Sequence, residues 1–262
     1  MPDSKDIIDR ATRFIQQQRE MYGDFSTAFE ASTSPEEKKF SEPENSNSGS
    51  TPITPGKIEN SPKTEPMPDA AQLIANCKTC DELKKLCENA EELRTDLANT
   101  NLVFGGGNPN ADLMIVGEAP GAKEDELGLP FVGRSGKLLD DILKAIGFSR
   151  EEIFISNILK HRPPENRNPT TEERQRSLPY LLRQIELIDP KLILCVGKVP
   201  GTTLLGKEEA LKNMRQKFHP FHGRELMVTY HPAALLRNPH FKRPTWEDVQ
   251  MLRKRYDELV GS

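Results

Sequence analysis

Residues 117 to 133, GEAPGAKEDELGLPFVG, combine glycines with carboxylates directly after an apolar run, DLMIV. Glycine-rich loops after strands often hold phosphates, but a nucleotide P-loop ends in Lys followed by Ser or Thr, and this stretch has no such ending. Its glycines are better explained by a close approach of the backbone to a flat ligand. Phe131, near the end of the stretch, is either a core residue or a stacking wall for that ligand.

Polar side chains also follow two more of the apolar runs in this chain. Asn157 follows the second run and His231 the fourth, as Glu118 follows the first, whereas the third is followed by Gly197. In open α/β sheets the ligand crevice lies beyond the carboxyl ends of the strands. Each side chain also has a structural explanation, because Glu118 could cap a helix, Asn157 close a turn and His231 bind a neighbouring loop. Their coincidence at three strand ends favours a site.

The four apolar runs predict the strands that position these groups. They are residues 112–116, 153–156, 192–196 and 226–230. Helix-length stretches lie between them, of which SGKLLDDILKAIG and TEERQRSLPYLLRQIELI are the clearest. Connections of this length are typical of crossover helices that cover a buried, mostly parallel sheet. The sequence therefore predicts an α/β domain.

The chain divides into three regions by composition. Residues 1–25 carry apolar side chains near helical spacing, which predicts an amphipathic helix that docks on a partner or lies on the domain. Residues 26–70 are rich in Pro and Ser and predict a disordered linker, because they cannot bury enough apolar surface to offset their chain entropy. Residues 71–262 predict the folded domain.

Charge and cysteine content limit the classes of function. The formal net charge is -4, and the acidic excess lies in the first 68 residues. Basic residues are concentrated in 160–183 and 212–257, which are either surfaces for a polyanion or ordinary solvated helix faces. No apolar run is long enough to span a bilayer and the N-terminus does not resemble a signal peptide, so we expect a cytoplasmic protein. In that compartment cysteines are more often metal ligands or buried thiols than disulfides.

Several motifs together resemble one family. GEAPGAKEDELGLPFVG, SNILKHRPPENRNPTTEE, PKLILCVG and HPAALLRNP occur in the order and spacing of the family 4 uracil-DNA glycosylases, the iron–sulfur branch of their superfamily. The resemblance runs from about Asn76 to the C-terminus and does not include residues 1–68. It implies a monomeric DNA repair enzyme with a three-layer αβα domain around a four-stranded, mostly parallel sheet, which flips uracil out of DNA and hydrolyses its N-glycosidic bond.

The resemblance also assigns roles in a uracil pocket. Asn157 matches the family asparagine that reads uracil, since its amide offers both a donor and an acceptor. Phe131 matches the stacking phenylalanine, and Glu124 matches a position near uracil C5 that is suited to excluding the methyl group of thymine. The first catalytic motif lines the pocket with its backbone, and its residues here include Gly117, Glu118 and Ala119.

His231 begins the motif that supplies the family's catalytic histidine and its minor-groove loop. A histidine that donates to uracil O2 stabilises the anion that leaves when the glycosidic bond breaks. Leu235, Leu236 and Arg237 are expected to fill the gap left by the flipped nucleotide and to contact the DNA backbone. The first family of these enzymes has an aspartate where this chain has Ala119, so leaving-group stabilisation must contribute more here, with Glu118 the nearest carboxylate that could guide water.

The family's [4Fe–4S] cluster is where this sequence departs from the pattern. Cys77 and Cys80 match two of its four cysteines, but His161 stands at the third position and Ser177 at the fourth. Histidine can bind a cluster iron, whereas a serine hydroxyl is a poor substitute for a thiolate. Both a retained cluster and a domain packed by other side chains are open, and the replacements favour the second.

The sequence leaves Cys87 and Cys195 as poor replacement ligands, because the first is distant from Cys80 along a helix and the second lies within a strand. The loop RPPENRNP next to the cluster position retains Arg162, Asn166 and Arg167, which are expected to contact DNA phosphates.

Two other functions compete with uracil excision. One is a non-catalytic module that binds damaged DNA with the same pocket. The other is an adaptor whose residues 1–25 recruit a repair or replication protein, with the linker as a tether. The retained Glu118, Phe131, Asn157 and His231 argue against a module that has lost catalysis.

Overall fold

A computed structural model describes residues 70–261, which contain a six-stranded sheet between two layers of helices. The strands, in chain order, are β1 (Gly106–Gly107), β2 (Leu113–Gly117), β3 (Phe154–Asn157), β4 (Leu192–Val196), β5 (Phe218–Phe221) and β6 (Arg224–Thr229). Their order across the sheet is β1-β3-β2-β4-β6-β5. The predicted amphipathic helix at 1–25 and nearly all of the predicted linker at 26–70 lie outside the described residues.

The four predicted strands form the centre of this sheet, and the α/β class is confirmed. β3, β2, β4 and β6 run parallel to one another. The expectation of four strands was incomplete, because β1 and β5 add antiparallel edges. These two were missed for a physical reason: β1 consists of two glycines and β5 contains Pro220, and neither composition is typical of a strand.

Nine α-helices precede, connect or follow the strands in the described residues. They are α1 (Ala70–Asn76), α2 (Cys80–Glu88), α3 (Ala122–Leu127), α4 (Arg134–Ala145), α5 (Thr171–Ile188), α6 (Lys198–Leu205), α7 (Leu211–Met214), α8 (Pro232–Arg237) and α9 (Lys242–Val260). Both predicted crossover helices are present, as α4 and α5. Helix α5 begins with a capping box, in which Thr170 accepts from the Glu173 backbone N–H and the Glu173 carboxylate accepts from the Thr170 N–H.

Each face of the sheet packs against its own layer of helices. Alternating residues of a strand point to opposite faces, so Met114 and Val116 of β2 contact one apolar core while Leu113 and Ile115 contact the other. The first core is covered by α1, α2, α5, α6 and α7. The second is covered by α4, α8 and α9. The arrangement is the three-layer αβα architecture.

Parallel pairing brings the carboxyl ends of the central strands to one edge of the sheet. Gly117 ends β2 next to Asn157, which ends β3, and His231 follows shortly after β6. The loops from these ends to the next helices surround a single depression. Within residues 70–261, no helix combines the length and apolar character needed to cross a lipid bilayer.

Candidate active site

The floor of the depression is formed where β2 and β3 end side by side. Gly117 and Asn157 are paired residues in the parallel ladder between these strands. A Cβ atom at position 117 would overlap Asn157 Oδ1 and would lie 2.5 Å from the ring of Phe131. Glycine at this position therefore allows the amide and the aromatic ring to lie next to each other.

Asn157 contributes a polar group that has no partner inside the protein. Its side chain is 1% exposed, and Oδ1 has no hydrogen-bond partner among the described residues. Leaving a buried acceptor unpaired costs about 1–3 kcal/mol. Since Asn157 lines the depression, the unpaired oxygen is available to accept a hydrogen bond from a ligand.

Phe131 and His231 form a pair of aromatic walls. Their ring centroids are 5.6 Å apart, with an angle of 30° between the ring planes. Phe131 is 5% exposed and has a backbone φ of 51°, which lies in the left-handed region that non-glycine residues rarely adopt. Both side chains line the same depression as Asn157.

His231 is held in its neutral form by its surroundings. It precedes α8 as the N-cap residue, and its Nδ1 accepts a hydrogen bond from the Ala233 N–H at 3.1 Å. Burial, aided by the positive charge of Arg237, lowers the pKa of His231 to about 4. The imidazole is therefore uncharged at neutral pH, and because Nδ1 is an acceptor its proton is on Nε2, which can donate to a ligand.

Two carboxylates border the depression in different environments. Glu118 is half-buried, and burial raises its pKa, while the nearby Arg174 and Arg237 act in the opposite direction. Glu124 is buried, and its Oε1 accepts hydrogen bonds from the backbone N–H groups of Val132 and Gly133, both at 2.8 Å. Glu124 therefore shapes the wall that carries Phe131 in addition to lining the depression.

The depression has a volume of about 360 Å³, within the range of small-ligand sites. It brings together Glu118, Ala119, Glu124, Phe131, Asn157 and His231, with Gly117 directly behind the amide and the ring. Ser135, Pro163 and Asn168 also line it and were not among the predicted residues. Pro163 and Asn168 belong to the PPENRNP motif, and that motif could have indicated them. Ser135 lies in the first turn of α4, and no motif pointed to it.

Behind the floor lies a fully buried amine that the sequence did not single out. Lys160 Nζ lies within 3.2 Å of four oxygen acceptors, which are Phe104 O, Ser156 Oγ, Asn157 O and Gln184 Oε1. Burial lowers the pKa of Lys160 to about 8. The network ties the end of β3 to α5, and therefore holds the backbone of Asn157 in place.

The two arginines in and directly before the PPENRNP loop have different surroundings. Arg162 Nε donates to Asn166 Oδ1 at 2.8 Å, and Asn166 is exposed. Arg167 instead donates from both terminal nitrogens to the buried carboxylate of Glu173, each at 2.8 Å, and also contacts Asp96. Arg167 also lines the depression, and its expected contact with phosphate stays a prediction, although two carboxylates already share its charge.

The three residues expected in the minor groove also differ in exposure. Arg237 is exposed at the rim of the depression and Leu236 is partly exposed. Leu235 is 2% exposed and belongs to the apolar core under α8. The expectation for Leu235 was wrong, because its side chain packs inward and does not reach the surface.

The residues at the third and fourth cluster positions are buried and are not thiols. His161 is 3% exposed, and its Nδ1 lies 3.0 Å from Thr100 Oγ1, to which it is hydrogen-bonded. Ser177 is 1% exposed and offers a hydroxyl where the family has a thiolate. Within residues 70–261, no three His, Cys, Asp or Glu side chains converge as ligands of a metal ion.

The cysteines themselves have the surroundings of packed thiols. Cys77 Sγ donates to the Leu73 carbonyl at 3.3 Å, and burial raises the pKa of Cys77 and of Cys80. Cys87 is 1% exposed in the first core, where burial raises its pKa to about 12, and Cys195 is fully buried in β4. Because only Cys77 and Cys80 supply thiols at the four family positions, the residues present do not fit a four-thiolate cluster.

Comparisons with known proteins agree with this geometry. Residues 104–251 match the model of the uracil DNA glycosylase superfamily. The chain is 39% identical over 180 residues to the type-4 uracil-DNA glycosylase of Pyrobaculum aerophilum, covering 65% of this chain and 91% of that protein. It is 36% identical over 205 residues to the type-4 enzyme of Archaeoglobus fulgidus, covering 75% and 94%. It is 42% identical over 163 residues to that of Saccharolobus solfataricus, covering 59% and 76%.

Proposed function

This chain belongs to the uracil-DNA glycosylase superfamily and, within it, to the type-4 enzymes, and on this basis we propose that it removes uracil from DNA. The reaction hydrolyses the bond between deoxyribose C1′ and uracil N1 and leaves an abasic site. A base inside a duplex cannot be reached by a pocket of this depth, so the nucleotide must rotate out of the stack. The observation that carries the proposal is the unpaired, buried Oδ1 of Asn157 at the floor of the pocket.

The amide of Asn157 accounts for base selection. Its Oδ1 accepts from uracil N3–H, and its Nδ2 donates to uracil O4. Cytosine presents the inverse pattern and would leave buried groups unpaired, a mismatch that discriminates by roughly 10⁴ in sites of this kind. The ring of Phe131 stacks on the base, and Glu124, which lines the same wall, limits the space near uracil C5.

His231 and Glu118 account for the bond cleavage. As the C1′–N1 bond breaks, its electron pair stays on uracil, and the neutral His231 donates its Nε2 proton in a hydrogen bond to O2 of the developing anion. Water supplies the oxygen that bonds to C1′ and releases a proton. Glu118 orients this water, and Ala119 cannot act as a base, so stabilisation of the leaving anion contributes most of the acceleration.

The rim of the pocket supplies the contacts to the DNA strand. We propose that Arg162, Asn166 and Arg237 bind phosphates. Leu236, which is partly exposed, is proposed to fill the gap left by the flipped nucleotide. Catalysis belongs to residues 71–262. Recruitment of a repair or replication protein by residues 1–25, a cytoplasmic location and a monomeric state stay predictions.

The first test is substitution of the base-reading amide. We expect Asn157→Ala to lower the rate of uracil release from a uracil-containing oligonucleotide by about 10² or more, because the transition state loses a preorganised hydrogen-bonding group. Release is measured as alkali-labile strand breaks under single-turnover conditions. Asn213→Ala is the matched control, because Asn213 is exposed on α7 and lies outside the pocket.

Three outcomes separate the alternatives. Loss of activity in the Asn157 variant, with an unchanged melting temperature and an active control, supports the assignment. Full activity in that variant contradicts it. Binding of uracil-containing DNA by the wild-type chain with no release of base would instead support the non-catalytic module.

A further inference from the structure

The segment that carries the stacking ring, residues 130–133, is held from two opposite sides. On one side, Glu124 Oε1 accepts from the N–H groups of Val132 and Gly133. On the other side, Arg150 donates from Nη1 to the Pro130 carbonyl at 3.0 Å and from Nη2 to the Phe131 carbonyl. Four backbone groups, one on each of four successive residues, therefore depend on two side chains that lie outside the segment.

The backbone of this segment needs such support. Phe131 has a φ of 51°, a conformation that costs of order 1–3 kcal/mol for a residue other than glycine and persists where the surroundings enforce it. The chain also passes very close to α4, because a Cβ atom at Gly136 would overlap the Phe131 carbonyl group. The φ value determines where the ring points, and the ring lies against Gly117 and beside His231.

We infer that Arg150 is a positioning residue for the stacking ring of Phe131, an inference that rests on the proposed uracil excision. Arg150 does not line the pocket. It acts through the two carbonyl groups, which fix the strained backbone so that the ring stands at the stacking distance from a flipped base.

The guanidinium group is suited to this task. Its third nitrogen, Nε, donates to Asp140 Oδ1 of α4 at 2.6 Å, so that all three nitrogens have acceptors and the side chain has a fixed orientation. Asp140 lies in α4, the helix that begins directly after residues 130–133, and it orients the side chain of Arg150. A lysine ammonium is a single point donor and cannot reproduce a planar fork across two successive carbonyls.

The test is a double-mutant cycle in the full chain, using Arg150→Met, Phe131→Ala and both together. We expect Arg150→Met alone to lower kcat/KM for uracil release about tenfold, but to change it less than about twofold when Phe131→Ala is already present, because the two residues act through one contact. Inhibition by free uracil should weaken in the same pattern. Arg255→Met is the matched control, since Arg255 forms an equivalent two-nitrogen contact with Glu225, outside the pocket lining.

Hydrogen exchange of the Val132 and Gly133 amides is a second readout that needs no catalysis. Exchange of these two amides should accelerate in Arg150→Met and not in Arg255→Met. Arg150→Lys, which keeps the charge, is measured alongside in case the methionine variant does not fold, with the same expected pattern. Additive effects of Arg150 and Phe131 on kcat/KM, or unchanged exchange at the two amides, would overturn the inference.

Failure of the proposed function is distinguishable from failure of this inference. If the wild-type chain releases no uracil, uracil excision is contradicted and the exchange experiment alone decides whether Arg150 fixes the Phe131 segment. If the wild-type chain is active and the cycle is additive, uracil excision stands and the role of Arg150 is rejected.

Discussion

At the scale of single residues, the sequence predicted several side chains that line the site, but it did not predict the contacts that hold them in place. Glu118, Asn157 and His231 were predicted because they follow strands, and parallel strands end at one edge of a sheet. Arg150 and Lys160 were not singled out, because each donates to a backbone carbonyl distant in sequence and no motif records such a contact. Leu235 shows the opposite error, since a motif position does not reveal which face of a short helix is buried.

The ionisation of His231 gives a prediction at this scale. Its folded pKa of about 4 lies below the ordinary value of 6.5, so it should remain neutral as the pH falls through 6, unlike an exposed histidine. As the pH falls below 6.5, the unfolded chain takes up a proton on this histidine before the folded chain does. The free energy of unfolding therefore falls as the pH is lowered from 6.5 to about 4. Long-range ¹H–¹⁵N spectra of the imidazoles, assigned with His231→Gln, measure both the pKa and the Nε2–H tautomer. A His231 titration near 6.5 would contradict the prediction.

At the scale of elements, periodicity predicted the parts of the fold that bury apolar side chains. β2 and β4 are buried along their whole length, and such strands appear in a sequence as continuous apolar runs. The edge strands β1 and β5 are held by backbone pairing to β3 and β6, which leaves little trace in composition. The register of β2 against β3 also cannot be predicted from the sequence, although it places Gly117 next to Asn157.

The connection between β3 and α5 gives a prediction about stability. We expect Lys160→Met to lower the free energy of unfolding by about 3 kcal/mol, because several buried acceptors would lose their donor. Lys144→Met is the matched control, because Lys144 is exposed near the end of α4. Urea denaturation monitored by circular dichroism measures both variants. Equal stabilities of the two variants would show that the buried network does not hold β3 to α5.

At the scale of the whole molecule, we expect the domain to fold and to excise uracil without an iron–sulfur cluster. His161 and Ser177 stand at two thiolate positions, both side chains are buried, and His161 is already hydrogen-bonded to Thr100. The wild-type chain, purified anaerobically, should therefore contain iron far below one cluster per molecule by elemental analysis and show no visible absorbance band. Stoichiometric iron in the wild-type chain would contradict this expectation.

A gain-of-function variant provides the control for that measurement. His161→Cys combined with Ser177→Cys restores a set of four cysteines together with Cys77 and Cys80. This variant should take up iron under reconstitution conditions in which the wild-type chain does not. Uptake by neither chain would show that the surrounding packing, and not the donor set alone, excludes the cluster.

The pairing of Gly117 with Asn157 has a consequence for how new base preferences can arise. The amide proposed to read the base belongs to the last residue of β3, a strand in the centre of the sheet, so the sheet and not a loop sets the position of its backbone. Changes in the loops can alter the affinity for a DNA strand or the rate at which a nucleotide rotates out of the stack. A change in which base is chosen is instead expected to come from the residues proposed to face the base, which are Asn157, Phe131 and Glu124.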